Sequence, residues 1–344
     1  MYRRVRRASE TAFSLASWHG GLIRRLQRRP VGRLLVYHNV SAQRDPVFGI
    51  DESAFARQMA FLAQHYHVVT LDDLAGMLAG AQPWIERAVA ITFDDGYEDN
   101  YLVAWPILRK SGLPATIYLP TDYIGSAEGI WLNRLHVALR MTPLDRLEAP
   151  ELLGGEPPFL SLRNSAERFA GASLLVDRLY DLAPRPRKAL AEALIERLKV
   201  DLTSLSPRFS GLRFLNWDQA REMAGGLVTF GSHGCSHSIV SRLADDVLRD
   251  ELTASKAIIE REMGRPVRHF AYPNGTRGDW DRRAVELLPE LGYATAVINC
   301  RGLVEAGTDP FELPRVGYAG SHMTTFAKRL EGLTARRALR ALKG

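Results

Sequence analysis

Two short stretches of the chain hold residues whose types and spacing could do chemistry. The first is Ala88-Val89-Ala90-Ile91-Thr92-Phe93-Asp94-Asp95-Gly96-Tyr97, an apolar run that ends in two adjacent carboxylates and a glycine. A strand alternates its side chains, so Asp94 and Asp95 leave the backbone on different sides and can take two tasks, one on a metal ion and one on a proton. Taken alone, the stretch also reads as a strand-to-helix turn in which Asp95 or Asp99 caps the next helix. The second is Phe230-Gly231-Ser232-His233-Gly234-Cys235-Ser236-His237. Two imidazoles four residues apart can reach one ion from a single turn, although this spacing also occurs on plain surfaces. Together with Asp95 they would form a three-ligand set that leaves positions for water and substrate.

For the two stretches to meet, they must end strands on one face of a shared sheet. Short β-branched and aliphatic runs predict strands at about 33–38, 67–70, 88–93, 115–119, 227–230, 268–272 and 294–298. Helical periods fall between them, at Phe55–Leu62, Asn100–Ser111, Asn216–Ala224, Asp246–Met263 and Trp280–Leu291. Strand, helix, strand at this spacing implies parallel pairing through crossovers, and about seven strands suit a barrel whose carboxyl ends share one rim. From about residue 125 to 212 the rhythm stops. Helical periods at Trp131–Arg140, Ser165–Leu182 and Pro186–Leu198, joined by Pro- and Gly-rich segments, predict a helical insertion over one end of the barrel.

Composition narrows the remaining classes. The 344 residues, 46% hydrophobic and 24% charged, are those of a soluble globular protein. The net charge of +6 is uneven: residues 1–33 carry nine Arg and one acid, residues 328–344 six basic residues and one acid, so the span 34–327 sums to −7. A basic stripe for nucleic acid is absent from the body, and no nucleic-acid partner is expected. Cys235 and Cys300 are too few for a disulfide framework, and Cys235 reads as a small packed residue between the two His. No apolar window reaches the roughly 18 residues of a membrane span. At the start, Ala12, Phe13, Leu15, Ala16, Trp18, Leu22 and Ile23 lie between arginine clusters, broken by Glu10 and His19. No cleavable secretion signal is read there. The pattern predicts either an amphipathic helix on an anionic membrane surface or a solvated basic helix packed on the protein itself.

The two motifs together resemble those of the polysaccharide deacetylases, carbohydrate esterase family 4, with its NodB homology domain. Thr92-Phe93-Asp94-Asp95-Gly96 matches the first motif of that family, Ser232-His233 through His237 the second, and Phe270-Ala271-Tyr272-Pro273-Asn274-Gly275 a variant of the third. The resemblance covers about residues 33–125 and 213–317. It implies an α/β fold, a distorted (β/α)7 barrel of the NodB type with the helical insertion at about 125–212. The expected boundaries are a basic amphipathic segment 1–31, a barrel 32–325 and a basic tail 326–344.

The resemblance further implies that Asp94 is the catalytic base and that Asp95, His233 and His237 hold a divalent metal, Zn2+ first, with Co2+ or Ni2+ as alternatives. A backbone N–H of the Pro273-Asn274-Gly275 turn, that of Asn274, would face the oxyanion. Two departures stand out. Gly234 replaces the usual Ser or Thr after the first His, so a supporting hydrogen bond must be missing or moved. Ala271 replaces the third motif's arginine, and Arg315 in Leu313-Pro314-Arg315-Val316 is the candidate to supply that charge. The acid histidine expected near the C-terminus has no match; His322 lies in a polar loop. Tyr37-His38-Asn39-Val40 instead resembles the early Tyr-His-x-Val segment of exopolysaccharide poly-N-acetylglucosamine deacetylases, which makes His38 the expected acid.

The implied activity is removal of N-acetyl groups from an amino sugar of a polysaccharide or a lipid-linked glycan precursor. With no secretion signal read, the expected location is the cytoplasm, and the basic ends offer peripheral association with the inner face of its membrane as an alternative to free solution. The rival readings are a same-fold hydrolase of a non-sugar amide C–N bond and a non-catalytic glycan-binding barrel. Trp131 and Trp217 are expected either to stack on sugar rings or to pack in the core. Tyr118 and Leu119 would shape an acetyl pocket.

Overall fold

The computed structural model describes residues 31–41, 49–126, 129–154, 159–205, 209, 212–317 and 322–331. The arginine-rich start, and with it the expected amphipathic helix, lies outside them. Seven parallel strands form the frame: β1 (Val31–Tyr37), β3 (Ala88–Phe93), β4 (Ala115–Leu119), β5 (Val228–Ser232), β6 (His269–Ala271), β7 (Thr295–Arg301) and β8 (Leu313–Gly317). Their pairing runs β1-β8-β7-β6-β5-β4-β3 and returns to β1, where Arg33 to Tyr37 register against Val89 to Phe93. The ring therefore closes.

The strand count matches the (β/α)7 expectation, but one member differs. The stretch expected at 67–70 is a two-residue strand, β2 (His67–Val68), attached to β3 outside the ring. The seventh place is taken by β8, which the sequence did not announce: Pro314 and Arg315 interrupt its apolar pattern. An antiparallel strand, Val304–Glu305, flanks β1. A second unexpected pairing is a small antiparallel ribbon inside the insertion, Arg146–Glu148 against Phe159–Ser161.

Alternation along the strands sorts the core into two layers. Leu34, Ala88, Ala90, Tyr118, Ala271, Val297 and Leu313 cluster with one another, while Leu35, Val89, Ile91, Phe93, Ile117 and Phe270 cluster with the surrounding helices. All six residues of β3 are buried, as expected of a strand covered on both faces. The first set fills the barrel, and Asp94 continues the parity of Ala88, Ala90 and Thr92. The carboxylate thus stands over the barrel's interior at its rim.

The helices follow their expected places: α1 (Glu52–His65), α2 (Leu71–Leu78), α3 (Trp105–Ser111, entered by a π turn at Asn100–Ala104), α7 (Trp217–Ala224), α8 (Asp245–Met263) and α9 (Arg282–Glu290). Local chemistry starts several of them. The Asp51 side chain accepts from Ala54 N–H, and Thr70 with Asp73 and Asn216 with Gln219 form reciprocal capping boxes. The insertion contributes α4 (Trp131–Met141), α5 (Ser165–Tyr180) and α6 (Pro184–Arg197). Leu135, Leu139, Leu175, Leu179 and Leu194 give it a core of its own, which also takes in Tyr97, Tyr123 and Ile239 from the loops after β3, β4 and β5. The last described helix, α10 (Met323–Leu330), buries Phe326 and Leu330 in the main core, and Leu330 O accepts from Arg33 Nε at 2.9 Å. α10 runs across residue 325, the expected end of the barrel.

Candidate metal centre and catalytic carboxylate

Asp94 and Asp95 follow β3 directly, and neither caps a helix. Asp95 has φ +72°, in the left-handed region that only a surrounding structure can hold for a non-glycine residue. The next residue must also turn: Gly96 has φ +63°, and a Cβ there would lie 2.6 Å from Leu119 Cδ2. The reversal sends Asp95 away from Asp94. His233 follows β5, and His237, with φ +54°, ends the loop after it.

These residues converge. Asp95 Oδ1 lies 3.4 Å from His233 Nε2 and 3.2 Å from His237 Nε2, and all three side chains are buried. His233 Nδ1 is 2.7 Å from the carbonyl of Ala271, which can only accept; Nδ1 therefore carries the hydrogen and Nε2 faces Asp95 with its lone pair. Among the described residues, nothing hydrogen-bonds to the buried Asp95 Oδ1. Three donor atoms on a tetrahedral ion with bonds of about 2.0–2.1 Å stand roughly 3.3–3.4 Å apart, which these contacts match. Among the described residues, Asp95, His233 and His237 are the one group of three buried His and carboxylate side chains with the spacing of a metal site. An Asp/His/His set of this kind fits a divalent cation.

Burial opposes ionisation of Asp95, yet the close imidazoles of His233 and His237 bring its pKa well below the ordinary carboxylate value. For His233, burial opposes the charged form, but the neighbouring carboxylates of Asp95 and Asp94 raise its pKa.

Asp94 is held separately. Arg315 grips it with both nitrogens, Nη1 to Oδ1 at 2.6 Å and Nη2 to Oδ2 at 2.7 Å, and Nη1 also reaches Thr92 Oγ1 at 3.3 Å. Both side chains are almost wholly buried. Burial would raise the Asp94 pKa, but the Arg315 charge first, then His233, the Arg315 hydrogen bonds and His38, hold it below the usual value. His38 Nε2 stands 3.9 Å from Asp94 Oδ2, with the imidazole about one-third exposed. The end of β1 is fixed there by a buried amide network, in which Asn100 Nδ2 donates to His38 O at 2.8 Å and Asn39 Nδ2 to Asp99 Oδ2 at 3.2 Å. Asp99, a candidate cap in the sequence, serves this network instead.

The structure therefore brings Asp94, Asp95, His38, His233, His237 and Arg315 to one rim. Asn274 lies in the turn after β6 with φ +61°, its side chain donating to Asp279 Oδ2 at 2.8 Å. That bond takes one side-chain hydrogen, and among the described residues no backbone carbonyl takes the Asn274 N–H. Trp131 is 2% exposed and packs edge-on against Tyr180, so it belongs to the core rather than to a sugar platform. Tyr118 is fully buried in the barrel interior, and its hydroxyl has no hydrogen-bond partner among the described residues.

Three residues escaped the sequence reading. Tyr97 Oη accepts from Asn133 Nδ2 of α4 at 2.8 Å; burial first and then the Asp95 carboxylate push its phenol up, so it stays neutral beside the ligands. Glu251 of α8 binds the loop between the two His, and Arg187 of α6 binds the residue after it. Glu and Arg on amphipathic helices read as surface charges, and only the tertiary structure places these two at the site.

The closed parallel barrel gathers, at the carboxyl ends of its strands, a buried Asp/His/His group that could hold a metal ion and an arginine-held carboxylate. The family model described as polysaccharide deacetylase matches residues 82–153 and 187–296, more than half of the chain, and the chain belongs to that family. It is 36% identical over 93 residues to YxkH of Bacillus subtilis (strain 168), itself named for this family; the match covers 27% of this chain and 33% of that one. It is 34% identical over 82 residues to the poly-beta-1,6-N-acetyl-D-glucosamine N-deacetylase of Escherichia coli (strain K12), covering 23% of this chain and 12% of that one. The chain thus spans a third or less of these relatives. The Streptococcus pyogenes deacetylase PplD, solved with acetate, superposes with a TM-score of 0.58 over 88% of this chain and 98% of that one. At 16% identity this likeness is one of fold.

Proposed function

We propose that this protein is a metal-dependent N-deacetylase that hydrolyses the acetamido group of an amino sugar in a polysaccharide. The observation that carries the reading is the pairing of two separate carboxylate environments on one rim: Asp95 among two imidazoles, Asp94 in the grip of Arg315. Asp95, His233 and His237 would hold a divalent ion, Zn2+ or, in its place, Co2+ or Ni2+. When bound, such an ion supplies Lewis acidity, polarising the acyl oxygen and easing loss of a proton from water.

The chain's own groups account for the proton transfers. Asp94, ionised and aimed by both Arg315 contacts, takes the proton of the attacking water. The Asn274 backbone N–H would meet the negative charge that develops on the acyl oxygen. His38, one-third exposed beside Asp94, gives a proton to the departing amine, so that amide and water become acetate and amine. The similarity to a poly-N-acetylglucosamine deacetylase supports a β-linked N-acetylglucosamine polymer as substrate, with a lipid-linked N-acetylated sugar as the finer alternative.

Acetate release from both substrates tests the reading. Protein treated with a chelator should lose activity and regain it with Zn2+, Co2+ or Ni2+. Metal-loaded protein that releases no acetate from either substrate would overturn it, and release from non-sugar amides alone would favour the rival hydrolase.

We extend the proposal to location. The nine arginines of residues 1–33 suit anionic lipid at the inner face of the cytoplasmic membrane, where a lipid-linked sugar would be met. No helix of the described residues is long and apolar enough to cross a membrane. In flotation with anionic liposomes, deletion of residues 1–30 should abolish binding; unchanged flotation removes this extension.

A further inference from the structure

The loop that carries both imidazoles has no side chain of its own at its second position, because residue 234 is glycine with φ +75°. A Cβ there would stand 3.1 Å from Glu251 Oε2. That carboxylate takes up the loop's backbone donors: Oε2 accepts from Cys235 N–H at 2.7 Å and Ser236 N–H at 3.0 Å, and Oε1 from the Ser236 hydroxyl at 2.5 Å. The carbonyls of Gly234 and Cys235 point the other way and accept from Thr121 and Asp122 N–H at 3.1 Å each. Gly234 N–H also donates to Ser232 Oγ at 3.2 Å, and among these partners only Glu251 is a charged side chain.

The contacts continue beyond the loop. The Ser236 and Ser238 hydroxyls are hydrogen-bonded to each other, and Ser238 Oγ meets Arg187 Nη2 at 2.5 Å. A guanidinium only donates, a carboxylate only accepts, and each hydroxyl has one hydrogen, so the chain has one direction: Arg187 to Ser238 to Ser236 to Glu251. Arg187 is 2% exposed, with its guanidinium 5.5 Å from the Trp131 ring centroid and 5.4 Å from that of Tyr180. Among the described residues no carboxylate forms an ion pair with it directly; Glu251 answers its charge through the two hydroxyls. Tyr180, in turn, places its hydroxyl 3.5 Å from His237 Nδ1.

We infer that Arg187, Ser238, Ser236 and Glu251 form a positioning network that fixes His233 and His237 for the ion, and that the helical insertion is through Arg187 a structural part of the metal centre. This rests on the metal-dependent reading above. Directional networks in a buried setting act as a unit, and groups that orient metal ligands typically change metal affinity by about 10–100-fold when removed.

The test is titration of the full chain, purified without metal, with Co2+ and Zn2+ alone. If wild-type protein takes up neither ion, the metal-dependent reading itself fails, whatever the variants do. Given wild-type binding, Glu251→Gln, Ser236→Ala and Arg187→Met should each weaken affinity by about 10–100-fold and shift the visible Co2+ absorption, which reports ligand geometry. Ser236→Ala removes one hydroxyl and keeps the folded protein should either charge variant fail to fold. The double variant Glu251→Gln/Arg187→Met should bind about as weakly as the worse single one, because the groups act in series. Wild-type affinity and spectrum in the variants, or losses that multiply in the double one, would overturn the network.

Discussion

Asp94→Asn should slow acetate release by about 10²–10⁴-fold, the range lost with a positioned general base. The affinity for Zn2+ or Co2+ should stay near that of the wild type, because Asp95, His233 and His237 are untouched. The contrast is what makes the experiment informative. Asparagine keeps the shape and one acceptor oxygen for Arg315, but its amide cannot take a proton from water at neutral pH. Steady-state kinetics beside a metal titration of the same preparation would show the split; undiminished turnover would remove Asp94 from the mechanism. Asp95→Asn is the counterpart, expected to lose the ion and the activity together.

Arg315→Met should destabilise the protein by about 3–5 kcal/mol, as expected when one partner of a buried ion pair is removed and the other is left in place. Two near-ideal contacts, 2.6 and 2.7 Å, disappear from a carboxylate that water hardly reaches. The same change removes the leading favourable charge on Asp94, so its pKa rises and the carboxylate becomes harder to keep ionised. The pH dependence has a definite sign. A carboxyl held below its unfolded value of about 3.9 contributes stability that is present above that pH and lost as the pH falls through the folded-state value. The gap between wild type and Arg315→Met in urea unfolding should therefore be full at pH 7 and narrow in acid. Adding Asp94→Asn to Arg315→Met should recover part of the stability, since no buried charge then lacks a partner. An Arg315→Met protein as stable as the wild type at pH 7 would show that the pair does not carry this energy.

Much of this arrangement is legible in the chain because its signals are local. The run Ala88 to Phe93 is apolar throughout, and a strand buried on both faces needs nothing else. The helices of the insertion declare themselves by period, and Trp131–Met141 and Pro184–Arg197 lie within two residues of their expected ends. What the sequence hides is non-local. β8 reads as Leu-Pro-Arg-Val-Gly, with Arg315 where an apolar side chain would be expected, because its partner is a carboxylate 221 residues away. The role of Glu251 is invisible for the same reason: its neighbours in α8 are ordinary amphipathic positions, and its partners are backbone amides on another element. Asp95, His237 and Asn274 are of the types that tolerate the left-handed backbone best, but type alone does not select these positions, and each is held there by its surroundings.

The order of strands around the ring sets a schedule for the working protein. β1, the earliest barrel strand made, can pair with β3 soon afterwards, but its other edge waits for β8, the last strand in the ring. The guanidinium that steadies the base arrives on that final strand. On the proposed mechanism, the segments that bring Asp95, His233 and His237 are made before the strand that brings Arg315, and the partner of Asp94 comes last.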